Sequence, residues 1–442
     1  MTDRVIVQFA GDGSGVDELS WGQTSILTAI RLKGDSLPMG GVRALPPGQT
    51  VADVATGLSF ILSRHQSLRT RLRMAPDGRP LQVVHASGEI TLEVVDAGED
   101  DPAAVAAAVA AGYKARPFDL EQEWPLRMAV ITHRGAATHI AEVVCHIAVD
   151  SFGMAALQED FDRRAERSGP MTAMQPMEQA QRQQGASGRR AHEASMRYFE
   201  RLAAIAPDRQ FGLSNDPRQP RTWQLTLESR AGYRAAGMLA AQLGLSTSAL
   251  LLAAFATALS SLASTQRVAL HLVVSNRFRP GFAGSVSPLM QTCPSVIEVA
   301  DDPFEEVAKR AWQSALSGYK HAYYDPGGKR EVYKRLVAER GADLDWGVIF
   351  NDRRVLNRET AEAAEGGDLL DELALSTLTW GEPSDMPEEK LFLSICDAPN
   401  ALCCELRADT HFVSPADMTG LLKGIESVLI DTAVAAMRST VQ

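Results

Sequence analysis

Cysteine is scarce and irregularly placed in this chain of 442 residues. Its five cysteines include no C-x-x-C pair, and an odd number cannot all pair within one chain. The nine histidines form no H-x-H or H-E-x-x-H arrangement, so the usual sequence patterns of a zinc site are missing. We therefore predict a reduced protein that binds no metal.

Positive charge is also in short supply. The chain has 44 Lys and Arg against 55 Asp and Glu, a formal net charge of −11. Nucleic acids and anionic membranes are bound by clustered basic residues, so this balance argues against both partners. No apolar run approaches the roughly 20 residues of a membrane-spanning helix, and the N-terminal apolar stretch is too short for a secretory signal. We therefore expect a cytoplasmic protein.

A glycine cluster near the N-terminus imitates a dinucleotide-binding fingerprint. A predicted strand, 5–9, runs into Gly11-x-Gly13, but the third glycine position is Val16. Only about ten residues separate this glycine turn from the next apolar stretch, 26–32. That stretch reads as a second strand, although a short helix is possible. That interval is too short for the crossover helix of a βαβ unit, so we interpret the glycines as a turn.

The rest of the chain mixes helix and strand patterns in both halves. We predict helices over 50–62, 102–114, 246–262 and from Ser414, and strands over 81–84, 90–95, 128–132, 139–146, 268–274, 346–350, 391–395 and 402–406. The stretch 168–188 has no period and reads as a linker. The sequence thus predicts an α/β (mixed α+β) protein with an N-terminal lobe over 1–170, a linker over 171–190 and a C-terminal lobe over 191–442.

The segment 143–153, VVCHIAVDSFG, contains the best candidates for catalytic residues. An apolar strand delivers His146, and Asp150 and Ser151 lie at the turn into the next helix. A histidine at a strand end, followed by an acid, suits a general base in a rigid loop. The residues alone leave a second interpretation open, in which His146 is a hydrogen-bonded core histidine and Asp150 merely caps the helix.

This segment resembles the H-H-x-x-x-D-G motif of the condensation domains of nonribosomal peptide synthetases, which belong to the chloramphenicol-acetyltransferase-like superfamily. Further segments resemble other motifs of this family and occur in the same order. They are LSWGQ at 19–23, RHQSLRT at 64–70, PFDL at 117–120 with PLR at 125–127, YF at 198–199, VSNR at 274–277 with the loop 286–294, and FN at 350–351. The resemblance covers roughly residues 15 to 430.

The resemblance implies a fold of two acetyltransferase-like lobes in a V-shaped pseudo-dimer, with the active site in a tunnel between them. It implies transfer of an acyl or aminoacyl group from a phosphopantetheine thioester to an amine or a hydroxyl in natural-product biosynthesis. An acyl or peptidyl carrier protein, acting in trans, would present the thioester to a small-molecule or carrier-bound acceptor. The chain shows no adenylation or carrier segment, so we expect a free-standing condensation enzyme that binds no cofactor of its own.

The resemblance also assigns roles to residues. His146 matches the functional histidine of the motif, which positions and deprotonates the acceptor. Asp150 matches the structural acid, which is paired with an arginine that braces the loop; Arg69 is the first candidate for this partner and Arg277 the second. Ser151 takes the place of the motif's glycine, and its backbone N–H is a candidate donor to the developing oxyanion.

Two departures from the family motif leave alternatives open. Cys145 replaces the first histidine, and strand alternation points it away from His146, so we interpret it as packing support for the loop. Ser151 would be strained if its position requires a positive φ. The alternative functions are a non-catalytic, condensation-like recruitment module and an acyl-CoA-dependent acyltransferase.

Overall fold

The computed structural model describes residues 2–167, 169–341, 343–354, 368–385 and 389–440. The chain divides into two compact units. The first unit contains the residues up to Arg190 together with Ser275–Met290, and the second contains Ala191–Val274 and the residues from Gln291 onward. A short segment from the second half of the sequence is therefore part of the first unit, which the predicted lobe bounds do not include.

The first unit begins with alternating strands and helices. In chain order they are β1 Thr2–Ala10, β2 Gly15–Glu18, α1 Trp21–Lys33, β3 Pro38–Ala44, α2 Val51–Arg64, β4 Thr70–Met74, β5 Pro80–Val84, β6 Ser87–Asp96, α3 Pro102–Ala115, β7 Leu126–His133, β8 Ala136–Cys145, α4 Ser151–Asp162 and α5 Pro176–Gln184, and α6 Ala186–Ile205 leads into the second unit.

The second unit continues the mixture of the two element types. Its elements are β9 Thr222–Ser229, α7 Arg230–Leu243, α8 Thr247–Ala263, β10 Arg267–Val274, β11 Gln291–Glu298, α9 Phe304–His321, α10 Pro326–Arg340, β12 Val348–Asp352, α11 Leu369–Leu373, β13 Thr377–Trp380, β14 Leu391–Cys396, β15 Leu402–Asp409 and α12 Pro415–Thr440. The mixed α/β class predicted from the sequence is confirmed.

Among the described residues, the main sheet of the first unit has the strand order β1-β6-β7-β8-β3, and a smaller sheet has the order β2-β5-β4. Strand β8 pairs with β7 on one side and β3 on the other. Alternate residues of β8 enter two separate apolar clusters, with Val144 in one and Cys145 in the other. Both faces of the strand are buried toward its C-terminal end, which explains why most of the residues there are apolar.

In the described part of the second unit, one sheet has the order β11-β10-β12-β14-β15-β9-β13. One of its faces packs against α7, α8, α9 and α12 in a single large core. Helix α8 is rich in Ala and Leu and is buried over most of its surface. Such a helix belongs in the centre of a core rather than at its edge.

The strand expected over 26–32 is instead part of helix α1. Ser20 begins the helix through a capping box: its Oγ accepts from the Gln23 N–H at 3.3 Å, and the Ser20 N–H donates to Gln23 Oε1 at 2.8 Å. Gly34, with φ of 69°, ends it. The caps therefore decide the structure of an apolar run that periodicity alone left open.

The predicted linker over 171–190 is largely helical, because it contains α5 and the start of α6. Two of its glutamines, Gln179 and Gln183, are buried. Gln179 Nε2 donates to Ser287 Oγ at 2.8 Å, and Gln183 Oε1 accepts from the Trp21 N–H at 2.8 Å. Polar side chains thus make the internal contacts of α5, so the segment lacks the apolar period by which helices are usually predicted.

Within the described ranges, no single helix is long and apolar enough to cross a membrane. Helices α7 and α8 meet the length and composition requirement only as a pair, and that pair is bent by 112°.

Candidate functional site

The end of β8 and the turn that follows it hold His146. The turn is closed by two backbone hydrogen bonds, from the Ala148 N–H to the Cys145 carbonyl at 2.9 Å and from the Val149 N–H to the His146 carbonyl at 3.2 Å. Asp150 then caps α4. The histidine is half-buried between a central strand and a helix start, so its backbone is fixed on both sides.

One hydrogen bond determines the tautomer of His146. Its Nδ1 lies 2.7 Å from the Val149 carbonyl oxygen, and a carbonyl can only accept. Nδ1 must therefore carry the proton when the ring is neutral, which leaves Nε2 with a free lone pair. A neutral imidazole with an unprotonated Nε2 is the form that a general base requires.

Asp150 is fully buried and is hydrogen-bonded through both of its carboxylate oxygens. Oδ1 accepts from the Gly153 N–H at 2.8 Å and from Arg277 Nη2 at 2.5 Å. Oδ2 accepts from the Leu289 N–H at 2.9 Å. The first of these contacts is an ordinary helix cap, whereas the other two tie the start of α4 to the segment Ser275–Met290.

The backbone turn at Asn276 brings Arg277 to this carboxylate. Asn276 is buried with φ of 58°, a left-handed conformation that asparagine tolerates better than most residues. Its Nδ2 donates to the Leu289 carbonyl at 3.0 Å, and its Oδ1 accepts from Arg279 Nε at 3.0 Å. The N-R pair singled out in the sequence thus has two parts, a residue that turns the chain and a residue that pairs with Asp150.

Arg277 also organises its own segment. Its Nη1 donates to the Ser285 carbonyl at 2.7 Å, and its side chain is only 10% exposed. The same loop approaches the start of α1 so closely that a Cβ on Gly22 would lie 1.7 Å from the Pro288 carbonyl oxygen. The glycine of the predicted opening motif is therefore required by a backbone contact with the 275–290 segment.

Gly153 is a further residue that the close packing requires and that the sequence interpretation missed. A Cβ built there would lie 2.8 Å from Val149 Cγ2 and 3.3 Å from both Arg277 Nη2 and Asp150 Oδ1. The absence of a side chain lets the guanidinium reach the helix start. The signal was present in the sequence, since this glycine lies inside a helix, where glycine is otherwise unfavourable.

Arg69 does not pair with Asp150, and its ranking as the first candidate was wrong. The buried Arg69 guanidinium donates to three backbone carbonyls, those of Asp12, Gly13 and His85. Burial lowers the pKa of Arg69 from its ordinary value. The glycine turn between β1 and β2 therefore presents carbonyl acceptors to a cation, the reverse of the N–H donors that a dinucleotide phosphate needs.

Cys145 lies on the opposite side of β8 from the helices that cover Val144. Its side chain is fully buried in the cluster with α1 and α3, and its Sγ donates to the Ser36 carbonyl at 3.2 Å. Burial raises the pKa of the thiol to about 12. A thiol in this environment stays protonated and unreactive.

Ser151 is the first residue of α4 and has the negative φ of a helical residue. The strain that a positive φ would have imposed on serine therefore does not arise. The backbone N–H of a first helical residue has no acceptor within its own helix, so it is free to meet a negative charge. The replacement of the motif's glycine leaves this donor in place.

Of the six residues singled out from the sequence, the structure places His146, Asp150 and Ser151 along one strand-to-helix turn and pairs Asp150 with Arg277. Across the described parts of the chain, no group of three or more His, Cys, Asp or Glu could hold a metal ion.

The family follows from comparison with known proteins. Residues 44–335 match the family model of the condensation domain. The chain belongs to the condensation domain family. A curated relative, the nonribosomal peptide synthetase kk1B of Curvularia clavata, is 25% identical over an alignment of 287 residues, and the match covers 60% of this chain. The chain spans about 2% of the length of that relative.

Solved structures share the fold of this condensation domain. One comes from work on condensation-domain-mediated chain release from the enacyloxin polyketide synthase; it has a TM-score of 0.69 and 20% identity, covering 94% of this chain and 82% of that one. Another is the X-domain from teicoplanin biosynthesis, with a TM-score of 0.70, 18% identity and 96% coverage of both chains. At these identities the likeness establishes the two-lobe fold.

Proposed function

We propose that this condensation domain is an acyltransferase, which moves an acyl or aminoacyl group from a carrier-protein phosphopantetheine thioester to an amine or a hydroxyl. The observation that carries the proposal is the 2.7 Å contact between His146 Nδ1 and the Val149 carbonyl, because it leaves Nε2 as a proton acceptor. The family membership supports this reaction class, and the contacts of the residues support the roles argued below.

His146 is proposed as the general base. As the acceptor nitrogen or oxygen attacks the thioester carbonyl, Nε2 takes the acceptor's proton and a tetrahedral intermediate forms. The C–S bond then breaks, the new C–N or C–O bond remains, and the proton passes to the departing thiolate of the phosphopantetheine arm. The product is an amide or an ester, and the arm is released as a thiol.

Ser151 is proposed to contribute through its backbone. Negative charge develops on the thioester oxygen during attack, and the N–H of a helix-initial residue is a suitable donor to it. The side chain is not required for this role, so the change from the motif's glycine is compatible with activity.

Asp150 and Arg277 are proposed as positioning residues. Their buried pair fixes the start of α4, and with it the turn that holds the His146 ring. Preorganised donors and bases accelerate reactions because they need no rearrangement when charge develops. The pair would then affect turnover more than carrier binding.

The test is a carrier-discharge assay by intact-protein mass spectrometry. Acyl-loaded carrier proteins are offered with a panel of amines and alcohols, and acyl-CoA thioesters are offered in parallel. We expect discharge into a new amide or ester by the wild type and its loss in His146→Ala. The matched control is His139→Ala, which removes a half-buried histidine from β8, the strand that leads to His146.

Each other outcome points to a different function. Equal discharge by wild type and His146→Ala would remove His146 from the mechanism. Discharge from acyl-CoA alone would identify the acyl-CoA-dependent acyltransferase. Carrier binding without discharge across the panel would favour the recruitment module.

A further inference from the structure

A second cluster of reactive groups lies outside the site described above, on the β14–β15 hairpin of the second unit. All five cysteines, which lie within the described ranges, are free thiols. Cys396 and Cys403 are direct partners in the antiparallel register of β14 and β15. The two thiols are half-buried, whereas the neighbouring Cys404 is fully buried in the core.

The register places Cys396 and Cys403 within reach of each other. Directly opposed residues of antiparallel strands have Cα atoms about 4.5–5.5 Å apart and side chains on the same face. That spacing falls inside the roughly 4.4–6.8 Å range of natural disulfides. Cys404 points to the other face, because successive residues of a strand alternate.

Arg353 gives the pair a cation. Its backbone N–H donates to the Ile395 carbonyl at 2.9 Å, which holds it beside the end of β14. Its Nη2 lies 2.9 Å from the sulfur of Cys396, and because a guanidinium only donates, the sulfur is the acceptor. Glu405 is 3.8 Å from the same guanidinium, and Glu228 is the partner of Cys403 on the next strand.

The electrostatics distinguish Cys396 from the buried cysteines of the chain. A hydrogen bond from Cys403 and the contact with Arg353 lower the pKa of Cys396 to about 6. The same hydrogen bond raises the pKa of Cys403, which therefore keeps its proton. Burial instead raises the pKa values of Cys293 and Cys404. Of the two opposed thiols, Cys396 is therefore the one that loses its proton more readily.

We propose that Cys396 is a site of oxidation by peroxides and that Cys403 resolves the product to a Cys396–Cys403 disulfide. The Cys396 thiolate attacks one oxygen of the peroxide; an S–O bond forms, the O–O bond breaks, and hydroxide leaves and takes up a proton as water. The Cys403 sulfur then attacks the sulfenic sulfur, forming S–S and breaking S–O. The hydroxyl leaves with the Cys403 proton as a second water.

The experiment uses the full chain, reduced and then treated with hydrogen peroxide before its remaining thiols are alkylated. Trypsin releases residues 391–407, which contain all three hairpin cysteines, and a second cleavage before Asp397 separates Cys396 from the other two. We expect this peptide to lose two hydrogens and its halves to stay linked until reduction, with Cys404 alkylated. The proposal would be overturned by a disulfide between Cys396 and Cys404, by one between Cys403 and Cys404, or by two halves that separate without reduction.

Variants test the separate roles of the two thiols. In Cys403→Ser the reaction should stop at a sulfenic acid on Cys396, which a 1,3-dione reagent traps. In Cys396→Ser, Cys403 should remain unoxidised. Cys145→Ser is the matched control and should leave the disulfide yield unchanged. Oxidation of Cys403 in the absence of Cys396, at the wild-type rate, would refute the assigned order.

Arg353→Met tests the cation, with circular dichroism to verify folding. The alkylation rate of Cys396 in the wild type should rise through a midpoint near pH 6, and at neutral pH it should exceed that of Cys145 by about tenfold or more. The variant should shift the midpoint upward and slow the reaction with peroxide several-fold. An unchanged midpoint and rate would exclude Arg353 from activating the thiol. If the variant does not fold, the order of alkylation among the wild-type cysteines still tests whether Cys396 is the most reactive thiol.

Discussion

The two units contain the same arrangement of strands around two corresponding helix starts. In the first unit β6 runs parallel to β7, β7 antiparallel to β8, and β8 antiparallel to β3. In the second unit β12, β14, β15 and β9 repeat these relations in the same order. Strand β8 leads through a turn into α4, and β15 leads through a turn into α12. The histidines His146 and His411 follow the two corresponding strands.

The two helix starts are built differently. At α12, Ser414 and Asp417 form a local cap: the Ser414 N–H and Oγ donate to Asp417 Oδ2 at 3.1 and 2.7 Å, and the Asp417 N–H donates back to Ser414 Oγ at 3.1 Å. At α4, the Asp150 carboxylate instead accepts from Arg277 and from the Leu289 N–H, which lie 127 and 139 positions further along the sequence. A local cap is enough to begin such a helix, so the long-range contacts of the buried Asp150 carboxylate serve a further purpose.

The clearest test of whether the two corresponding turns differ in function is to replace each histidine in turn. His146→Ala should lower the rate of acyl transfer by about 10²–10⁴-fold, the usual contribution of a positioned general base. His411→Ala should leave the rate unchanged. Single-turnover discharge of an acyl carrier measures both. A comparable loss in the two variants would mean that the histidines act through folding rather than chemistry.

The buried ion pair should give the largest effect on stability. Arg277→Met leaves the carboxylate of Asp150 buried without its cation, and we expect the free energy of unfolding to fall by about 3–5 kcal/mol. Urea denaturation measures the loss. The control is Arg218→Ala, which removes an exposed arginine paired with Asp216 and should change nothing measurable.

A double variant separates the pair from its surroundings. Arg277→Met combined with Asp150→Asn should be more stable than the sum of the two single losses predicts, because the second change removes the unpaired charge. Strictly additive losses would contradict a direct interaction.

Replacing one glycine in each of the two corresponding helices by alanine should change the free energy of unfolding in opposite directions. Gly153→Ala in α4 forces a methyl against Val149 and the ion pair, and it should cost about 1–3 kcal/mol of unfolding free energy. Gly420→Ala in α12 meets no atom within 4 Å of its added Cβ and should stabilise by roughly 0.5–1 kcal/mol. Thermal and urea unfolding of the two variants measure both signs. Destabilisation by both would show that the packing argument at Gly153 is not specific.

The local cap should give the smallest loss. Ser414→Ala removes the acceptor for the Asp417 N–H, and we expect a cost of about 1 kcal/mol. Because the interaction is confined to one helix, Ser414→Thr should retain most of the stability, since threonine keeps the hydroxyl that both accepts and donates. A loss as large as that of Arg277→Met would mean that Ser414 also has a long-range role.

Local signals in the sequence predicted most elements, and they failed where capping or polar packing decides the structure. The helix from Thr50 was correctly predicted from its S/T-x-x-D/E pattern, and the structure has the full capping box with Asp53. The equivalent signal at Ser20 and Gln23 was present but was outweighed by the apolar run 26–32. The buried glutamines of α5 had no such signal, because their partners lie in distant segments.

The candidate site was likewise predictable where its residues are close in sequence, and not where they are distant. His146, Asp150 and Ser151 are close in sequence, and one strand-to-helix turn is enough to bring them together. The choice between Arg69 and Arg277 depends on which arginine finds backbone carbonyls and which finds a carboxylate, and that depends on the tertiary path of residues 275–290. No local period or motif spacing contains that information.

Residues 275–290 belong to the first unit, and this has a practical consequence for building hybrids between related condensation domains. A single crossover at residue 190 would join Asp150 from one parent to Arg277 and the Leu289 amide from the other. Two further crossovers, at residues 274 and 290, would keep the carboxylate and its donors from the same parent. The first unit is therefore inherited intact only when it is exchanged as two pieces of chain.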